Sequence, residues 1–177
     1  FPFCLSRTAG ASIMKLIHQT VDQLSSAIGV SVSWFALIMV IITAIVVVFR
    51  YFLNLGSIPL QETIVYLHGA LIMLAIGFAL KNNAHVRVDV IHRRLGTRQK
   101  HWIEILGFAL FLLPVAVLFL VTSFSYVSFS WSVLESSSAP GGLPGVFALK
   151  TLIPIMALLL LMQGISQTLK AIEALRS

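Results

Sequence analysis

The sequence predicts an all-α integral membrane protein with four transmembrane helices, both termini in the cytoplasm, a short interfacial amphipathic helix before the first span, and a long third helix. Three observations predict this fold class. The 177 residues are 58% hydrophobic and only 10% charged, whereas soluble domains carry about 25% charged residues. Four long runs lack any charge. The basic residues lie almost entirely on one side of those runs.

The four uncharged runs set the predicted spans. A helix needs roughly 20 apolar residues to cross about 30 Å of hydrocarbon, and the continuous apolar character of the runs excludes the alternating pattern of a barrel strand. We expect residues 1–13 to be a disordered extension, because Met14–Lys15 is a natural start. Residues 14–177 then form a single membrane domain with spans at about 30–53, 60–81, 101–133 and 148–170.

The positive charge predicts the orientation. Ten of the 12 Lys and Arg residues belong to the two terminal segments and to the connection between the second and third spans. Cytoplasmic loops are rich in Lys and Arg, so these three segments are predicted to lie inside the cell. The net charge of +6 is therefore predicted to face anionic lipid headgroups and not nucleic acid.

The first element is predicted from a helical repeat of apolar residues. Ile13, Ile17, Val21, Leu24 and Ile28 recur at helical spacing with polar residues between them. This pattern favours a short amphipathic helix in the inner interface, before the first span. The alternative is that the same residues are a polar extension of the first span itself.

The other three spans show local signals of their start, packing and shape. Ser57 and Pro59 are typical of a helix start. Small residues in the second span favour close helix packing. In the long third span, Pro114 predicts a kink. The serines that alternate with aromatic residues beyond it would allow a strand, but continuity with the apolar run favours a helix. Turn residues around 140–144 precede the fourth span.

The spans offer little for catalysis. His68 is the one ionisable residue well inside a span, about 9 Å deeper than Glu62. A membrane cytochrome needs histidine pairs, so we expect a neutral His68 that is hydrogen-bonded to a neighbouring helix. His85, Asp89 and His92 share a helix face, but the surrounding arginines oppose a bound cation. The sequence therefore predicts no enzyme activity, no metal and no cofactor.

Arg50 and Glu62 flank the first predicted outer connection. One interpretation is an ion pair that fixes this hairpin or docks another protein. The alternative is that Arg50 extends towards lipid headgroups while Glu62 only complements the helix dipole.

Several motifs together resemble one transporter family. They are Phe49-Arg50-Tyr51 at the end of the first span, Glu62, Gly77, His85-Val86-Arg87-Val88-Asp89 after the second span, and Gly142-Leu143-Pro144 before the fourth. With four spans and both termini inside, the chain resembles the small DctQ-like membrane subunit of tripartite ATP-independent periplasmic (TRAP) transporters. Relatives often have a tryptophan shortly before the acid of the second span, where this chain has Leu60-Gln61, so the resemblance indicates no substrate.

The resemblance implies a small accessory subunit of the bacterial inner membrane. Such a subunit pairs with a large permease subunit and a periplasmic binding protein for ion-driven uptake of an organic acid. On this interpretation Arg50 and Glu62 form an outer structural or docking pair. Glu135 and the turn with Gly142 and Pro144 are outer docking candidates. His85, Arg87 and Asp89 order the cytoplasmic loop.

Two other functions remain open from the residues. The first is a membrane anchor subunit of a redox enzyme complex. The second is a four-helix exporter, which would need an acid within a span. Only Glu62 is available for that, and it lies near the membrane interface.

Overall fold

The computed structural model describes the backbone of residues 3–82 and 96–176, and the side chains of residues 16, 18–82 and 96–175. The described residues are helical apart from short connections, which confirms the predicted all-α class. The helices are α1 (Phe3–Phe52), α2 (Ile58–Lys81), α3 (Thr97–Gly107), α4 (Leu113–Ser132) and α5 (Val146–Arg176). Four helices are long and apolar enough to cross a membrane: His18–Phe52, Ile58–Lys81, Thr97–Ser132 and Val146–Leu175.

The first helix differs from the prediction. α1 runs without a break for 50 residues, so the separate interfacial helix was wrong and the polar extension of the first span is what forms. The physical reason is that no proline lies between Pro2 and Pro59, and extending an existing helix costs far less than starting one. The helix begins at Phe3, and the extension at residues 1–13 before a membrane domain at 14–177 stays a prediction.

The third span is one helix with a local widening. A π turn, Phe108–Leu112, joins α3 to α4, and the N–H of Leu113 donates to the carbonyl of Phe108, five residues back. Pro114 follows directly, and its ring crowds the carbonyl four residues before it. The wider turn lies where that crowding is relieved. The serine-rich segment after it is helical and not a strand.

The spans form an open row. α5 packs against α1 and α2 and also against α3 and α4. α1 packs on α2 and α5, and the third span packs mainly on α5. The first and third spans make almost no contact with each other, and each leaves a broad apolar face outside the packed interior.

Close contact between α1 and α2 depends on a glycine. A Cβ atom added at Gly29 would lie 2.4 Å from Cγ of Phe78. Replacing Gly29 with alanine is expected to push the two helices apart, at a cost of about 1–3 kcal/mol. Thermal unfolding of the purified chain in detergent, followed by tryptophan fluorescence, measures this loss.

Gly107 provides the matched control for that substitution. It also lies in a helix, but an added Cβ meets nothing within 4 Å. Gly107→Ala is expected to leave the melting temperature unchanged or to raise it, because alanine favours helix over glycine by about 1 kcal/mol. A Gly29→Ala protein that melts at or above the Gly107→Ala protein would contradict the close-packing argument.

Candidate functional site

Two polar clusters lie at opposite ends of the row of helices. The loop end holds the connections 53–57 and 133–145, and the termini end holds the polar part of α1 and the end of α5. The loop-end cluster consists of Glu62, Ser130, Glu135, Ser137, Leu143 and Lys150. The termini-end network consists of Asp22, Ser25, Ser26, Lys81, Gln163, Ser166, Gln167 and Lys170.

Glu62 fastens the 133–145 loop to the start of α2. Its Oε2 accepts a hydrogen bond of 2.6 Å from the backbone N–H of Leu143, and its Oε1 accepts one from the hydroxyl of Ser137. Ser137 Oγ in turn accepts a bond from the N–H of Ala139 at 3.1 Å. One carboxylate therefore holds both ends of the turn.

The turn itself leaves no space for a side chain at Gly142. A Cβ there would lie 2.6 Å from Cβ of Ser137 and 2.8 Å from Oε1 of Glu62. Gly141 has φ +75°, a conformation that glycine adopts without strain. Pro144 is exposed directly after the clamped Leu143. The structure thus brings three predicted residues, Glu62, Gly142 and Pro144, to one place.

Glu135 joins the same end of the molecule through Lys150. Its Oε2 accepts bonds from Lys150 Nζ at 2.5 Å and from the Ser130 hydroxyl at 2.6 Å. Lys150 Nζ also lies 4.0 Å from the centre of the Tyr126 ring, a cation–π arrangement. The bond from Lys150, and then the bond from Ser130, lower the pKa of Glu135 below its ordinary value. The carboxylate is therefore ionised at neutral pH and ties the end of α4 to α5.

Arg50 does not pair with Glu62. Within the described part of the chain, no ion pair joins them, and both oxygens of Glu62 are taken by the loop. Arg50 instead lines a surface pocket of about 550 Å³ with Gln61, Asn54 and others. Gln61 and Glu62 are neighbours in sequence but point about 100° apart on a helix. This rotation separates Glu62 from the face that Arg50 shares.

His68 also differs from its prediction. It is exposed beside α1, and the hydrogen bond to a neighbouring helix that we expected is not formed with any described residue. The predicted loop residues His85, Arg87 and Asp89 lie outside the described residues. Among the residues that are described, no group of three His, Cys, Asp or Glu side chains could hold a metal ion.

The termini-end network was missed by sequence reasoning. Asp22 on α1 bonds to Lys170 on α5, and its Oδ1 accepts bonds from Gln163 Nε2 at 3.0 Å and from Ser166 at 3.4 Å. Ser25 donates to Gln163 Oε1 at 2.7 Å. Gln163 is fully buried, with 0% exposure, and both ends of its amide are satisfied inside the protein.

The second span joins this network. Lys81 Nζ donates to the backbone carbonyl of Asp22 at 2.9 Å and to the hydroxyl of Ser26. Gln167 Nε2 donates to the carbonyl of Leu80 at 2.5 Å. The network therefore fixes α1, α2 and α5 to one another. One signal was available in the sequence, since Asp22 is the only acid before Glu62.

Comparison with known proteins places this architecture in a family. Residues 39–174 match the family described as tripartite ATP-independent periplasmic transporters, DctQ component. The comparisons with curated proteins and with solved structures found no match. The matched residues cover most of the chain and include the whole loop-end cluster. The family and the four membrane-spanning helices agree with a multi-pass protein of the inner membrane. The chain belongs to the DctQ component family of TRAP transporters and is a small membrane component of such a transporter.

Proposed function

We propose that the chain is a scaffold subunit that pairs with a large permease subunit. Together with a periplasmic substrate-binding protein, the pair takes up an organic acid, driven by an ion gradient. The family supports the role of a small transporter component. The open row of helices is the observation that carries the scaffold role.

The open row leaves most of the apolar surface available. In the most apolar stretch of each of the first three spans, only 6% of the residues are buried inside the protein. In the fourth span the buried share is 17%. The polar contacts of Asp22 and Glu62 are made inside the chain. A broad apolar face with its charges held at the two ends suits a subunit that widens a larger membrane assembly.

The loop end is proposed to face the periplasm and to help dock the binding protein. Glu62 and Glu135 hold the 133–145 loop in place, and Gly141 and Pro144 remain exposed on it. A pre-ordered loop loses less conformational freedom on binding than a mobile one. The basic segments at the termini end are proposed to face the cytoplasm and its anionic lipids.

Reconstitution tests the proposed function. The tagged chain would be co-expressed with a large TRAP permease subunit from the same genome, purified in detergent and placed in vesicles. The binding protein and labelled organic acids would be added outside under a sodium or proton gradient. We expect a stable complex of the two membrane subunits, and uptake that falls to background when the chain is omitted.

Two results would contradict the proposal. One is a chain that purifies without the permease while the permease alone transports at the full rate. The other is a haem or quinone absorbance that travels with the purified chain, which would favour a redox anchor subunit.

A further inference from the structure

α1 and α2 leave a groove between them on the surface of the protein. Its volume is about 750 Å³. It is lined from α1 by Ala36, Val40, Thr43 and Val47, and from α2 by His68 and Leu71. The groove lies along the spans and is almost wholly apolar.

On each helix, a set of exposed residues beside this groove lies on one helix face. On α1 the exposed residues Ala36, Val40, Thr43 and Val47 follow one another at intervals of four, three and four. On α2 the exposed residues Gln61, Val65, His68 and Ile72 repeat the same intervals. This alternation of four and three places each set on one face of its helix, where a neighbouring helix could pack along both sets.

The small side chains in the groove also favour a helix. Ala36 and Ala44 line it on α1, and small residues let two helix backbones approach closely within a membrane. Thr43 is already satisfied, because its hydroxyl donates to the carbonyl of Met39 at 2.7 Å.

His68 is the polar group that an occupant must satisfy. It is the eleventh residue of the 24-residue helix Ile58–Lys81, so it lies about 15 Å from the start of that helix and near its middle. It is exposed and has no hydrogen bond to any described residue. An ionisable side chain at this depth costs several kcal/mol unless it finds a partner.

We propose that this groove receives a transmembrane helix of the partner subunit, which places a hydrogen-bonding group opposite His68. A lipid acyl chain would fill the volume but offer nothing to the imidazole. The inference rests on the proposed function and adds to it the face of this chain that meets the permease. His68 then fixes the depth at which the two subunits pack.

Site-specific photocrosslinking tests the face. A benzoylphenylalanine placed at Val40, in the groove, is compared with one at Phe124, which is exposed on α4. Each variant is co-expressed with the permease and irradiated in membranes. We expect the Val40 probe to form an adduct with the mass of the chain plus the permease.

The outcomes separate the two proposals. If the permease co-purifies but the Val40 probe gives only lipid adducts or adducts of two copies of this chain, the groove inference is overturned and the proposed function stands. If the permease does not co-purify at all, the proposed function fails first, and the inference fails with it. The Phe124 probe, exposed on another span, is expected to give a weaker permease adduct than the Val40 probe in the same complexes, and a stronger one would overturn the inference.

Substitution of His68 tests the hydrogen bond. His68→Leu is expected to weaken the complex roughly 3- to 15-fold, the range of measured interhelical hydrogen bonds in membranes. His68→Gln, which can still donate and accept, is expected to retain most of the affinity. Neither change should alter the melting temperature of the chain alone, since His68 bonds to nothing within its described part. A His68→Leu chain that binds the permease as tightly as the wild type would overturn the inference.

Discussion

Asp22→Lys is expected to destabilise the chain more than Gly29→Ala or any substitution at the loop end. The change removes the acceptor for the buried amide of Gln163 and the partner of Lys170. It also places a third positive charge beside Lys170 and Lys81. Removing one partner from a buried charged pair costs about 3–5 kcal/mol, and we expect the lower end because the Lys170 side chain is 40% exposed.

The measurement is thermal unfolding of the purified chain in detergent. A loss of about 3 kcal/mol corresponds to a fall of about 6–12 °C in the melting temperature for a protein of this size. Gln19→Lys is the matched control, because it adds the same charge at an exposed position one turn earlier on α1. The control is expected to melt with the wild type.

A charge swap makes the argument specific to the pair. Asp22→Lys combined with Lys170→Asp restores one positive and one negative charge across α1 and α5, so part of the lost stability is expected to return. A double variant that is no more stable than Asp22→Lys alone would show that the ion pair is not what stabilises this end. Local helix effects would then have to explain the single substitution.

The spans could be predicted because they depend on local composition. Each apolar run forms a helix whatever its neighbours do, since a backbone in lipid must satisfy its own hydrogen bonds. The contact between Asp22 and Lys170 could not be predicted in this way. It joins residues separated by 148 positions, and it depends on which faces of α1 and α5 meet.

The site residues also differ in what the sequence could predict, because their positions are local but their contacts are long-range. Glu62 was predicted to act at the outer end of α2, and the partner proposed for it there, Arg50, is not the one that it contacts. Sequence proximity favoured Arg50, whereas the fold brings Leu143 to Glu62 from 81 residues away. For His68, a hydrogen bond to a neighbouring helix was expected, and only the packing of α1 on α2 shows that its face is left open. The sequence shows where a polar residue lies along a helix, but its hydrogen-bond partner depends on which helices the fold brings together.

Glu62→Gln is expected to release the 133–145 loop while leaving the helices intact. Glutamine has the same shape but only one acceptor oxygen, so it cannot accept from both Ser137 and Leu143. Hydrogen bonds to a charged group contribute about 1.5–3 kcal/mol. We therefore expect the backbone amide of Leu143 to exchange with solvent roughly 10- to 150-fold faster, as measured by hydrogen–deuterium exchange with mass spectrometry.

A second variant perturbs the same loop by steric crowding instead of by loss of a hydrogen-bond acceptor. Gly142→Ala keeps the carboxylate but places a methyl group 2.8 Å from Oε1 of Glu62 and closer still to Ser137. If the clamp holds the loop, both variants should speed exchange at Leu143 and reduce uptake that depends on the binding protein. Gln61 lies in the same turn of α2 but faces away from the loop. Gln61→Ala is therefore expected to leave the exchange rate of the Leu143 amide unchanged. Exchange in Glu62→Gln no faster than in Gln61→Ala would mean that the loop is held without Glu62, by its own backbone hydrogen bonds and by the pair of Glu135 and Lys150. The docking role would then belong to that pair, since a loop that stays ordered without Glu62 needs no clamp at the start of α2.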